Sequence, residues 1–341
     1  MDNIRGNKRV GNQSIIFSAP VNIKGIGTVA GKKESEGPLG QYFDVRLEDC
    51  LENENSWELE ERNMLENAIN TVLKKTETLE KDVHFVVMGD LLNQIISASF
   101  TARDLAIPYI GVYGACSTMA LSLSVASLLI DGGFASQVIA ATCSHFCTAE
   151  RQYRYPLEMG VQRVASSQWT VTGAGAVVLD GSKANGAAVS AITTGRVVDF
   201  QIEDANYMGA AMAPAAASTL RAHFEDTGRD PSYYDVILTG DLGIYGKDIL
   251  CKLLLDYDGI DIHRNYIDCG CEIFKGDKTV MAGASGCGCS ALYLSKVLND
   301  LNKGNIQRAL FISTGALLSP VSTLQKESIP GIAHAVAIEN F

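Results

Sequence analysis

The chain has 341 residues, is 47% hydrophobic and 20% charged, and carries a formal net charge of −11. Its length and apolar fraction suffice for one large core or two ordinary ones. The negative balance argues against nucleic acid, whose phosphates require clustered Lys and Arg, and against electrostatic adsorption to anionic lipid, so an anionic ligand must be held by local features such as helix N-termini.

The first segment, "MDNIRGNKRVGNQS", is polar and has no apolar h-region, so no secretory signal is expected. With that context, nine cysteines, an odd number, read as reduced thiols in a cytoplasm-like compartment. From Trp57, "WELEERNMLENAINTVLKKT" sets apolar residues at 65, 68, 69, 72 and 73, one face of a helix whose Glu-rich start and Lys-rich end suit its dipole. "VVMGDL" (86–91) follows as a buried strand, with Asn93 and Gln94 just beyond its end. In "VYGACSTMALSLSVASLLIDGG" (112–133), Cys116 sits where a strand gives way to a helix. The apolar run 119–130 has 12 residues and three serines, against the 20 or so of a membrane span, so it reads as a buried helix. "VIAATCS" (138–144) is the next strand, followed by His145, and "GAGAVVLD" (173–180) closes the set.

Beyond the turn-rich "LDGSKANG" the pattern starts again. "ILTGDL" (237–242) matches "VVMGDL"; "SGCGCS" (285–290), an apolar helix and "ALFISTG" (309–315) match "GACS" (114–117), its helix and "VIAATCS"; "IAHAVAIE" (332–339) matches "GAGAVVLD". Three blocks in one order indicate duplication into halves spanning 1–183 and 184–341. Helices alternating with doubly apolar strand runs predict an α/β architecture with parallel or mixed sheets. The repeat-related helix starts at 116–118 and 286–290 should converge near the pseudo-twofold axis, offering backbone N–H groups and the hydroxyls of Ser117, Thr118 and Ser285.

Position alone leaves Cys116 two readings: a nucleophile whose thiolate is favoured by the helix start, or a small packing thiol beneath it. His145 and His334 are each open to carboxylate binding or to a satisfied core position, whereas His84 and His223 are assigned to surface elements. Met and Ala of "MGAAMAPAAA" (208–217) suit an apolar wall or close helix packing, and Arg151 and Arg154 a surface or dimer role ahead of ligand contact. The Cys-x-Cys pairs lack zinc-site spacing and no dinucleotide fingerprint occurs, so neither metal nor cofactor is expected.

Two α/β halves with a cysteine at a strand–helix junction, together with "TGAGAVVL" (172–179) and "GASG" (283–286), resemble the thiolase-like superfamily of thiolases and ketoacyl synthases. That resemblance implies an αβαβα layered fold and a homodimer. "GPLGQYFD" (37–44), "GDLLNQ" (89–94), "YGACST" (113–118), "DGGFA" (131–135), "TAERQYRYPLE" (148–158), "TGALLSP" (314–320) and "QKESIPGIAH" (325–334) are similar to its stage V sporulation AD family from spore-forming bacteria. The family implies binding of pyridine-2,6-dicarboxylic acid (dipicolinic acid), free or as its calcium chelate. It also implies work with the other subunits of a stage V membrane channel, in uptake into the developing spore and release in germination. Synthesis in the cytoplasm and a peripheral place at the spore inner membrane go with that.

Against the enzymes of the superfamily, Gly240 and Asp241 stand where one histidine position is expected, and Val280 where thiolases have histidine. Ala284 falls where related synthases have asparagine, and Thr314 and Gly315 where thiolases carry a second cysteine. The resemblance therefore implies a non-catalytic carrier in which Cys116 is a pocket residue, with an aspartate near the sulfur opposing thiolate. The expected ligand-binding set is Cys116, Ser117, Thr118, Asn93, Gln94, His145, Asp241, Ser285 and His334. The alternative is an acyltransferase or condensing enzyme using Cys116.

Overall fold

The apolar runs become strands because each is covered on both faces. The computed structural model describes residues 8–51, 54–153 and 164–341. In it the first half supplies β1 (Ser14–Ala30), β2 (Phe85–Asp90), β3 (Tyr109–Gly111), β4 (Gln137–Ser144) and β5 (Gly173–Asp180). The second supplies β6 (Ala187–Thr193), β7 (Val236–Thr239), β8 (Tyr266–Asp268), β9 (Arg308–Ala316) and β10 (Gly331–Asn340). They form one path, β3-β2-β4-β5-β1-β6-β10-β9-β7-β8.

Read outward from the centre, both sides repeat one pattern. β1–β5 and β5–β4 are antiparallel, then β4–β2 and β2–β3 parallel. Likewise β6–β10 and β10–β9 are antiparallel, then β9–β7 and β7–β8 parallel. An antiparallel β1–β6 pairing joins the two sets into a mixed sheet. The repeated blocks of sequence fall on equivalent strands: β2 with β7, β4 with β9, β5 with β10.

Among the described residues, seven helices of eight residues or more complete the layers: α1 (Trp57–Lys75), α2 (Ile96–Leu105), α3 (Thr118–Asp131), α4 (Phe146–Tyr153), α5 (Met208–Thr227), α6 (Gly243–Asp258) and α7 (Cys287–Asn302). α3 and α7 touch strands of both sets and so lie between them; α1 covers the far side of β1, β5 and β4, and α5, backed by α6, that of β10 and β9. The result is an αβαβα stack. Strand periodicity sorts the side chains between its layers. Val336 and Ile338 of β10 join Met119, Leu123 and Leu292 in the middle, while Ala333, Ala335 and Ala337 face Met212 and Leu220 of α5.

Local chemistry explains the helices that matter most. Ser56 caps α1 by accepting the Leu59 N–H at 3.3 Å, and Glu58 and Lys74 sit at the ends the dipole favours. α3 is buried nearly all round, and two of its three serines find backbone acceptors within the fold: Ser124 donates to Ala120 O at 2.7 Å and Ser122 to Ala141 O at 3.4 Å. Among the described residues no helix is long and apolar enough to cross a membrane.

One sequence expectation is overturned here. His223 is not on a surface element: it is fully buried in α5, with Nδ1 2.7 Å from Thr193 Oγ1 and Nε2 2.6 Å from the Tyr234 hydroxyl. The polar run around it suggested solvent, but α5 is enclosed by the sheet on one side and α6 on another. Burial, with the nearby Arg229 charge, pushes this imidazole down to about 3. His84 does lie exposed.

Candidate functional site: a thiol and a carboxyl beneath a narrow cavity

The site begins with the turn that leads from β3 into α3. Ala115 takes φ +50°, a left-handed conformation unusual for a residue with a side chain. Hydroxyls hold it there: Ser117 Oγ donates to Gly114 O and Thr118 Oγ1 to Ala115 O, each at 2.6 Å. From the other half, β9 crosses directly over this turn. A Cβ on Gly315 would stand 2.2 Å from Gly114 O, so only glycine permits that approach.

Asp241 follows β7. Its Oδ1 accepts the Thr314 hydroxyl at 2.7 Å and its Oδ2 the Gly286 N–H at 2.9 Å, and its side chain also bonds the Cys116 thiol. Gln168 ties the assembly by donating from Nε2 to Asp241 O at 2.7 Å and to Ala284 O at 2.8 Å. Burial pushes the Asp241 carboxyl up to about 7, opposed by bonds from Cys116 and Thr314. Burial, and next the Asp241 charge, push the Cys116 thiol well above its ordinary range. Both shifts favour a protonated thiol beside the carboxyl over a thiolate.

Above Cys116 lies a cavity of about 30 Å³. Leu91, Ala149, Met208 and Ala316 give it apolar walls, and Thr170, Ser285, Glu150 and Tyr153 add polar groups. Ser285 and Thr170 are neighbours through a two-residue parallel ladder, Trp169–Thr170 against Ala284–Ser285. Tyr153 is aimed by its hydroxyl, which donates to Leu91 O at 2.6 Å. The two helix starts meet below: Cys116 and Cys287 share an apolar cluster with Ala115 and Ala149, and the Cys287 thiol donates to Cys143 O at 2.8 Å.

Of the residues expected from sequence, Cys116 and Ser285 line the cavity and Asp241 lies against Cys116. Ser117 and Thr118 adjoin it, with their hydroxyls engaged by the turn. Asn93 and Gln94 are exposed in a turn after β2, where the Asn93 N–H donates to Gln152 Oε1 at 3.3 Å. His145 is buried away from the cavity, its Nε2 2.9 Å from Cys50 O and its Nδ1 accepting the Cys147 N–H at 3.1 Å. His334 accepts the Gly195 N–H at 3.3 Å and is likewise not among the lining residues. Burial lowers both imidazoles, His334 to about 4, so neither offers a cation at neutral pH. Arg151 pairs with Glu58 and packs over Trp57; Arg154 lies outside the described residues.

Sequence reasoning missed Tyr153, Thr170, Leu91 and Ala149. Tyr153 was within reach, since Ala149 and Tyr153 are four apart on one helix that follows the strand after Cys116. Among the described residues no group of three or more His, Cys, Asp or Glu side chains could hold a metal ion.

Comparison with known proteins agrees with this geometry. Residues 11–339 match the family model for stage V sporulation protein AD. Stage V sporulation protein AD of Bacillus subtilis (strain 168) is 45% identical over 333 residues, 97% of this chain and 98% of that protein. Similar solved structures are condensing enzymes: 3-oxoacyl-[acyl-carrier-protein] synthase III from Aquifex aeolicus VF5, with TM-score 0.58, 13% identity and coverage of 94% of this chain and 99% of that one. Cerulenin-bound OleA of Xanthomonas campestris gives a TM-score of 0.61 at 12% identity, covering 95% and 97%. At such identity these structures speak for the fold alone. With the palindromic strand order, the middle helix pair and the cysteine at its start, the chain belongs to the stage V sporulation protein AD family and has the thiolase-like fold.

Proposed function

We propose that this protein binds pyridine-2,6-dicarboxylate without transforming it, and that it serves uptake into the developing spore and release in germination beside the membrane subunits of a stage V channel. The observation that carries the non-catalytic part is the Cys116–Asp241 pair. Acyl transfer through cysteine needs a thiolate and a proton acceptor. Here the sulfur is buried, its neighbour is a carboxyl that raises it further, and among the described residues no imidazole lines the cavity.

The polar groups suit recognition instead. Leu91, Ala149 and Met208 can face a flat ring while the Ser285 and Thr170 hydroxyls address carboxylates at its edge. At about 30 Å³ the cavity has room comparable to one water's share of liquid, so a ring diacid enters only after a wall moves. Met208 and Leu318, unbranched or loop-borne, are the walls best placed to yield.

A homodimer belongs to the same proposal. β3 ends the strand path with one open edge, and Ile96, Phe100 and Tyr113 expose apolar surface nearby. Isothermal titration with dipicolinate and with benzene-1,3-dicarboxylate tests the binding. A saturable heat with the first supports it; none at millimolar ligand sinks it. The competing reading, an acyltransferase using Cys116, is favoured by the thiol at a helix start in a condensing-enzyme fold. It requires an acyl adduct, seen by intact mass after incubation with acyl thioesters and lost in Cys116→Ser.

A further inference from the structure

A second hollow, of about 490 Å³, lies on another face of α4 from the Cys116 cavity. Phe146 and Cys147 of α4 face it, whereas Ala149, Glu150 and Tyr153 of the same helix line the cavity. Cys50 and Cys147 both line this hollow, and each side chain perturbs the other's thiol.

Their approach is built in by His145. Its Nε2 donates to Cys50 O at 2.9 Å and its Nδ1 accepts the Cys147 N–H at 3.1 Å, so one neutral imidazole holds both backbones. The two cysteines are 97 positions apart in sequence, and nothing local requires them to meet. Cys50 is exposed and Cys147 partly so; Cys116, Cys143, Cys251, Cys269, Cys287 and Cys289 are buried.

We propose that Cys50 and Cys147 form a reversible disulfide that locks α4 to the segment around Cys50. The oxidant is a low-molecular-weight disulfide. Cys50, the accessible sulfur, gives up its proton and attacks it, breaking the S–S bond, forming a mixed disulfide and releasing one small thiol. Cys147 then loses its proton and attacks Cys50 Sγ, expelling the second small thiol. Two protein thiols are oxidised by two electrons and one small disulfide is reduced to two thiols. At rest the pair is slow to react, because burial and, for Cys50, the adjacent Asp49 hold both sulfurs as thiols. The lock bears on α4, and α4 carries one wall of the Cys116 cavity.

The test uses the full chain equilibrated against glutathione mixtures from reducing to oxidising, followed by alkylation, intact mass and peptide mapping. Two alkylatable thiols should disappear together and map to Cys50 and Cys147. The loss should vanish in Cys50→Ser and in Cys147→Ser, and persist in Cys271→Ser, which removes the other partly exposed thiol. Amide exchange across 146–153 should slow about tenfold on oxidation of the wild type and stay unchanged in Cys147→Ser. A glutathione adduct that remains on Cys50 without resolving overturns the disulfide, and a cross-link that leaves α4 exchange unaltered overturns the lock. Neither readout uses dipicolinate, so both stand apart from the ligand assignment.

Discussion

Replacing Asp241 with asparagine removes the charge beneath Cys116 while keeping the side chain's shape. The carboxyl titrates near 7 in the fold against 3.8 as a free side chain, because burial disfavours its charged form. A folded value above the unfolded one means that its contribution is fully present below pH 3.8 and is lost as pH rises to about 7. At about 1.4 kcal/mol per unit, the wild type forgoes about 4 kcal/mol between pH 4 and 8 through this group alone. Asparagine forgoes none of it. It does lose one acceptor: the Thr314 hydroxyl and the Gly286 N–H each bond a carboxylate oxygen, and an amide can accept at only one atom. That leaves a buried donor unpaired at a cost of about 1–3 kcal/mol at every pH. The mutant should therefore be the less stable protein at pH 4–5 and should equal or exceed the wild type at pH 8. Urea melts at pH 5, 7 and 8 measure the difference. If the gap between the two proteins does not move with pH, the carboxyl is not titrating in the fold and the account of Cys116 fails with it. A dianionic ligand adds a second readout, since its binding to the wild type should weaken as pH rises through 7 and be flatter in the mutant.

The same reasoning runs with opposite sign at His223, whose folded value near 3 lies below its ordinary 6.5, so its stability is lost as pH falls from 6.5 toward 3. His223→Gln should remove an acid-side slope, of which melts between pH 4 and 7 read about 3 kcal/mol. Gly315→Ala drives a methyl into Gly114 O and should cost about 3 kcal/mol or more, lowering Tm and freeing the Cys116 turn. Iodoacetamide should label Cys116 far more slowly at pH 7.5 than a free thiol, and faster in Asp241→Asn; equal rates in the two proteins would refute the charge effect.

What could be read from the sequence follows from where periodicity is forced. β2, β4, β5 and their counterparts are covered on both faces, so each must be a nearly unbroken apolar run, and duplicated runs remain recognisable. β1 and β6, the pair that joins the halves, gave no matching block. β1 is long and interleaves exposed Ser18 and Lys24 with its core residues, while β6 is fully buried and alanine-rich. Cys116 stood out because a tight turn demands small neighbours. The rest of the site did not, for a directional reason. His145 follows its strand as expected, yet its ring turns to Cys50 and Cys147, and neighbourhood along the chain does not fix which way a side chain points. Ser117 and Thr118 show a further limit, since hydroxyls at a helix start satisfy the backbone beside them before they can serve a ligand.

Duplication also explains why the Cys116 cavity draws on both halves. Each half ends a strand in Gly-Asp-Leu and opens a middle helix near a cysteine, and each helix start reaches across to the other half. Cys116 meets Asp241 of the second half; Cys287 donates to Cys143 O of the first. The equivalent aspartates then diverge. Asp90 spends both oxygens within its own half, on the Leu92 and Ala98 N–H groups at 2.8 and 2.7 Å, and so seats α2. Asp241 instead accepts from Gly286 and Thr314 and lies against Cys116, which lines the cavity. On the first-half side Glu61 of α1 is buried near Asp90 and accepts the Thr148 hydroxyl at 2.7 Å. A carboxyl sealed by neighbours needs no ligand. The one left beneath an unfilled cavity can respond to one, and the asymmetry between Asp90 and Asp241 is the physical reason to look for binding at Cys116 and not at Cys287.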